Sequence, residues 1–172
     1  MKFSTKGDTG ETCLLGGQRI PKYDARPDTY GTLDEASSAL GVARATTKDL
    51  KIQYIILAIQ KDLLIMGAEL SALPEDVHKL SHRINQTDVS RLDEIIETIG
   101  KDVQLKNAFI YPGESVVSAQ IDVGRTIIRR AERKAARLKA DGLIDNADIH
   151  RYLNRLADML FVLARYEEQR TR

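Results

Sequence analysis

The stretch from Lys48 to Leu73 constrains the fold most. Ile52, Ile55, Ile56, Ile59, Leu63, Met66 and Leu70 recur at intervals of three and four residues. That rhythm lays one apolar stripe along about five turns of α-helix. Pro74 closes the run, because proline removes a backbone donor and disfavours helical geometry in the residue before it. A helix with one apolar stripe must bury it against partners, and the same rhythm returns in four further segments. From about Pro27, suited to a first helical turn, to Thr46, the line is Tyr30, Leu33, Ser37, Leu40 and Arg44. From about Thr87 to Lys101, under a cap at Thr87 or Asp88, Leu92, Ile95, Ile96 and Ile99 turn inward. A fourth helix is expected from about Ser115 to Ala140, stopped at Asp141-Gly142. The fifth starts after Asp145 or Asn146 and reaches about Arg170, burying Ile149, Tyr152, Leu153, Leu156, Leu160 and Leu163. No strand pattern of useful length is present. The expectation is an all-α, five-helix antiparallel bundle in which short links make consecutive helices neighbours.

At 172 residues, 42% of them apolar, the chain is expected to form a single domain (1–172) with a core of its own. The net charge of +1 supplies no global field to recruit nucleic acid, and aromatics for base stacking are few at 5%. No apolar run is long enough for a bilayer, so no membrane partner is expected. The start turns polar at once, leaving no room for a signal peptide. Cys13 is the single cysteine, so an intrachain disulfide is excluded. These features predict a soluble cytoplasmic protein.

Residues 1–26 differ from the helices. Gly7, Gly10, Gly16 and Gly17 crowd into eleven positions, which favours turns over helix. Thr12, Leu14, Leu15 and Ile20 offer anchors, so an ordered loop is expected. Exposed backbone N–H groups in such a loop can wrap phosphate oxygens, with Lys22 adding a point charge. The loop is not a Walker A motif: GxxxxGK[ST] is missing and no strand precedes it.

The charged residues of helix four suit the same chemistry. Arg125, Arg129, Glu132 and Arg133 sit at helical spacings on one side. Planar guanidinium forks one turn apart can grip successive phosphates bidentately, and Glu132 could hold the arginines extended. Between Arg125 and Lys139 seven basic residues face one acid. A solvated basic face fits these residues as well. On helix five, Arg151, Asn154, Asp158 and Arg165 share a stripe, and Asn154, flanked by Leu153 and Leu156, is expected to need an amide partner. That stripe reads equally as a ligand site between two helices or as a network tying them together. His78 and His82 stand four apart in a polar connector and read as solvated rather than metal-bound. Cys13 has no base nearby in sequence and is not expected to be a nucleophile.

Together GDTGET (7–12), LGGQRIPK (15–22), R-x-x-x-YGTLDE (26–35), FIYPG (109–113), RTIIRRAER (125–133) and YLNRLADMLFVLAR (152–165) resemble the ATP:cob(I)alamin adenosyltransferases of the propanediol-utilisation type. The resemblance spans nearly the whole chain. It implies a ferritin-like bundle assembling as a homotrimer with active sites at subunit interfaces. It implies transfer of the 5′-deoxyadenosyl group of ATP, with Mg²⁺, to reduced cobalamin, releasing triphosphate. It places ATP contacts on Ser4, Thr5, Lys6, Gly7, Asp8, Thr12, Lys22, Arg129, Arg130, Glu132, Arg133 and Asn154. Arg125 is similar to an arginine that pairs with an aspartate of the first helix, here Asp34, for turnover. Phe109 is similar to the aromatic that covers the lower corrin face and excludes the axial base. By itself Phe109 would read as an ordinary core residue. A reductase and an adenosylcobalamin-dependent recipient enzyme are the partners such a role calls for. An ATP-responsive adenosylcobalamin carrier with little turnover is the competing expectation. The chain departs from the family pattern at Ser4-Thr5-Lys6, at Glu114 in place of a second turn glycine, and at DEASS in the first helix.

Overall fold

A computed structural model describes residues 5–105 and 107–170. Among them are five α-helices: α1 (Ala25–Thr46), α2 (Leu50–Leu70), α3 (Gln86–Gly100), α4 (Val116–Ala140) and α5 (Ala147–Arg170). Two three-residue strands precede them, β1 (Glu11–Cys13) and β2 (Arg19–Pro21), paired antiparallel with Thr12 opposite Ile20. This hairpin was not expected from the sequence, since three residues are too few to show strand alternation.

Side-chain caps fix the helix starts. Asp24 accepts from the Arg26 N–H at 2.9 Å, so α1 begins two residues before Pro27. Asp49 caps α2. At α3 the cap is Asn85 rather than Thr87 or Asp88, and Asp88 completes the capping box by accepting from the Asn85 N–H. Ser115 and Ser118 cap α4 reciprocally. Gly142, at φ +70°, ends α4, and the Leu143 N–H reaches back to the Leu138 carbonyl at 2.9 Å.

Packing departs from the consecutive-neighbour expectation. α1 packs against α4 and α2, while α5 packs against α4 and α3. α1–α2 and α4–α5 pack closely as consecutive pairs, whereas α2 and α3 meet more loosely, through side chains such as Asp62 and Arg91. The buried face of α1 is Thr29, Thr32, Leu33, Ala36, Leu40 and Ala43. Tyr30 and Ser37, placed on its inner line by sequence, are half-buried at the edge. Small residues let α1 and α4 approach closely: a Cβ added at Gly124 would lie 2.7 Å from Leu40 Cδ2.

Buried polar groups tie the helix ends together. The Arg26 guanidinium donates to the carbonyls of Leu70 (2.7 Å), Ala72 (3.0 Å) and Leu143 (2.5 Å), joining the start of α1 to the end of α2 and the α4–α5 link. Glu69 accepts from Arg83, the Ile84 N–H and Asn146. In the middle, Tyr152 donates to Asp62 Oδ2 at 2.6 Å, and Arg91 pairs with the same oxygen. Burial first, then the neighbouring Asp62 charge, raises the Tyr152 hydroxyl well above its ordinary pKa, so it stays protonated and donating. Among the described residues no helix is long and apolar enough to cross a membrane.

Candidate functional site

The glycine-rich leader is ordered by its own hairpin. Arg19, on β2, donates through Nη2 to the Lys6 carbonyl at 2.8 Å and to Glu11 Oε2 at 3.0 Å. The hydrogen bond to Glu11, then that to Cys13, raises the Arg19 pKa. Nothing in the sequence marks Arg19, because its partners Lys6, Thr9, Glu11 and Cys13 are brought to it only by the hairpin. Gly10 and Gly17 adopt φ of +83° and +94°, left-handed values that glycine takes without strain. The loop between the strands docks on the end of α2 and on the 3₁₀ segment Pro74–Lys79. The Leu15 N–H donates to the Ser71 carbonyl at 2.9 Å, Gln18 Nε2 donates to Asp76 Oδ2 at 2.8 Å, and Leu14 is buried. Lys79 holds Asp76 from the other side at 2.6 Å, and these two hydrogen bonds, Lys79 first, depress the Asp76 pKa.

This arrangement brings several predicted residues together. The Lys22 ammonium stands over Gly7, 3.2 Å from where a Cβ would be. Thr5, Lys6 and Asp8 are exposed, and Thr12 is half-buried. Ser4 lies outside the described residues. Thr12 also lines a cleft of about 450 Å³ between α1 and α2, together with Tyr30, Asp34, Ser37 and Gln60. Gln60 donates to the Ser37 carbonyl at 2.9 Å, and its Oε1 is buried without a partner. The cleft thus offers apolar walls, a carboxylate and an unused acceptor, a mixture that suits a partly polar planar group.

On α4 the basic run is less uniform in space than in sequence. Arg130 is ion-paired with Glu35 on α1, and Lys134 reaches Asp28 Oδ1 on α1 at 2.6 Å. Arg137 pairs with Asp141 at 2.7 Å. Arg129 and Arg133 are exposed, and among the described residues no carboxylate pairs with either. Arg133 donates to the Arg129 carbonyl at 2.9 Å. Two guanidinium groups one turn apart are therefore left facing solvent.

Two site expectations change, and a third pairing is not made within one chain. Arg125 is not joined to Asp34 within the chain: its Nε donates to Asp122 Oδ1 at 2.7 Å, three residues away, while Asp34 opens on the α1–α2 cleft. Glu132 does not splay the arginines; it is half-buried, with His150 Nε2 on α5 at 4.0 Å. Asn154 is exposed, so its amide does not need the protein partner expected for it.

Phe109 is not a core residue, for it is 97% exposed on the rim of a cavity of about 210 Å³. The lining includes Gln104, Tyr111, Glu114, Arg165 and Glu168. Arg165, only 3% exposed, pairs with Asp122 Oδ2 at 2.6 Å and Glu168 Oε1 at 2.8 Å. Two cations and two carboxylates therefore run Arg125–Asp122–Arg165–Glu168 from the basic helix to the cavity. A flat apolar partner could lie on the exposed ring while these charges hold the cavity's shape.

The chain is similar to known proteins over nearly its whole length. The sequence profile of the family described as cobalamin adenosyltransferase covers residues 3–167. A corrinoid adenosyltransferase of Citrobacter freundii is 40% identical over 168 residues, 96% of this chain and 94% of that protein. One from Mycobacterium leprae is 39% identical, over 95% of this chain and 88% of its own length. A solved variant of the PduO-type ATP:corrinoid adenosyltransferase from Lactobacillus reuteri, complexed with cobalamin and ATP, superposes with a TM-score of 0.88. It is 29% identical and the match covers 96% of this chain and 92% of that one. With the match running from the leader through the arginine helix and most of α5, the chain belongs to the cobalamin adenosyltransferase family.

Proposed function

We propose that the chain transfers the 5′-deoxyadenosyl group of ATP to cob(I)alamin, giving adenosylcobalamin and triphosphate. The observation that carries this reading is the pair Arg129 and Arg133, one turn apart on α4 and unneutralised among the described residues. Bidentate guanidinium groups match a departing polyphosphate, whose charge grows as the bond from C5′ to oxygen breaks. Cobalt(I) is itself the nucleophile and supplies the electron pair for the new Co–C bond. The chain therefore needs no base or nucleophile of its own, only a geometry that brings C5′ into line with cobalt. Lys22 and the Gly7 backbone would hold the phosphates from the leader side, with Thr5, Lys6, Asp8 and, outside the described residues, Ser4. Mg²⁺ arrives with ATP as part of the substrate, and Asp8 and Thr12 are oxygen donors suited to such a hard cation. Phe109, exposed at the cavity rim, would cover the lower corrin face in place of an axial base.

A homotrimer with shared sites completes the picture. The leader is anchored to Ser71 at the end of α2 and to Asp76 in the 3₁₀ segment after it, whereas Arg129 and Arg133 lie on α4, which also packs on α1. A second copy would bring one leader to the other's arginines, and Asp34 to Arg125. In this reading the chain is one domain, with residues 1–26 serving the bundle 27–170. It works in the reducing cytoplasm, beside a reductase and a recipient enzyme. The test is the absorption spectrum of the protein with MgATP and chemically reduced cobalamin. Repeated turnover to the alkylated cofactor is expected. No alkylation would refute the reading, and a single turnover with retained product would mark a carrier instead.

A further inference from the structure

We propose that Asp122 is a positioning residue that couples the nucleotide site to the corrinoid site, an inference that rests on the function proposed above. Asp122 is 2% exposed, on the inner side of α4, and each of its oxygens serves a different arginine. Oδ1 accepts from Arg125 Nε at 2.7 Å and Oδ2 from Arg165 Nη2 at 2.6 Å. Arg125 belongs to the basic side of α4 and is half-buried; Arg165 and Glu168 line the cavity rimmed by Phe109. One carboxylate thus stands between the two places where the substrates are expected.

The charges make this link responsive. In a poorly solvated interior, a carboxylate shared by two cations redistributes its hold when one is withdrawn. A triphosphate, or a neighbouring copy's carboxylate, that draws Arg125 outward leaves Asp122 with Arg165 alone. Arg165 also holds Glu168 through the same Nη2, at 2.8 Å, so a stronger pull from Asp122 shifts Glu168 and the cavity wall with it. Because coupling is reciprocal, filling the cavity must change nucleotide affinity by the same factor.

The test uses cob(II)alamin under anaerobic conditions without reductant, so that both substrates bind and no transfer occurs. In the parent chain MgATP should change the cob(II)alamin Kd by about fivefold or more. In Asp122→Asn each ligand should still bind alone, while that factor falls to about one. An undiminished factor in the variant, or no coupling in the parent, overturns the inference. Failure of the parent to bind either ligand would overturn the proposed function itself. Should Asp122→Asn not fold, amide exchange on the parent chain decides: MgATP alone should alter exchange at 109–114 and 165–169, and unchanged exchange there overturns the inference. A residue needed only for folding would leave the coupling factor unmoved in any variant that folds.

Discussion

The Lys22 ammonium occupies the space directly over Gly7, 3.2 Å from where a side chain there would begin. The leader therefore brings backbone N–H groups and a cation together at one point, where a Cβ would crowd the lysine end only slightly. Gly7→Ala asks the flexible, exposed end of Lys22 to give by only a few tenths of an ångström, so it should change MgATP affinity by no more than about twofold, whereas Lys22→Ala should weaken it by about tenfold or more, the loss of one charge-assisted contact. Isothermal titration of the parent and both variants checks this. An unchanged affinity in Lys22→Ala would mean that the leader's cation lies away from the phosphates.

The arginines of α4 should separate into two kinds. Arg129→Ala and Arg133→Ala should each lower turnover by roughly a hundredfold or more, the usual cost of removing a preorganised donor to developing negative charge. Arg137, whose side chain is 76% exposed and paired with Asp141, should tolerate Ala within about twofold, because such surface pairs contribute little. Steady-state rates decide, and equal sensitivity along the helix would reduce the stripe to a diffuse basic field.

α1 and α4 meet at Gly124 and Leu40. Gly124→Ala forces a methyl group to within 2.7 Å of Leu40 Cδ2 in a region where Leu40 is fully buried. The expected cost is about 1–3 kcal/mol of stability, read by denaturant unfolding. A neutral result would show that the two helices can part without loss.

Asp76 anchors the leader through Gln18, and its pKa is depressed by the hydrogen bonds from Lys79 and Gln18. A depressed carboxylate contributes stability that is complete above its ordinary value near 3.9 and is lost as pH falls through the lower folded value. Proteolysis within residues 14–18 should therefore stay constant at neutral pH and rise on acidification below about pH 4, where Asp76 takes up its proton. In Asp76→Asn the acid-dependent rise should disappear.

What the sequence reveals depends on side-chain size and distance along the chain. α2 and α5 are legible because large apolar residues mark most of their inner faces, although Asp62, Glu69 and Arg165 are buried there too. The buried face of α1 is not, since Thr29, Thr32, Ala36 and Ala43 carry little hydrophobic signal, and their burial follows from the close approach at Gly124. The basic run on α4 is visible as composition. Its division into paired and unpaired arginines is not, because Glu35 and Asp28 lie on another helix. The hairpin escapes notice because three-residue strands leave no alternating pattern, and Arg19 meets Glu11 and the Lys6 carbonyl only once the hairpin has formed. Phe109 is legible as a site residue only through family resemblance; taken alone, an aromatic beside a turn looks like core.

The proposal that copies share a site is tested most directly by complementation. Lys22→Ala removes the leader's cation and Arg129→Ala removes the helix's fork, and each variant alone should be nearly inactive. If every site joins the leader of one copy to the α4 of the next in a closed ring, co-refolding equal amounts should rebuild about one intact site in four. Recovery of about a quarter of the parental rate is predicted. A mixture as inactive as its components would place both residues in a site within one chain and contradict the account.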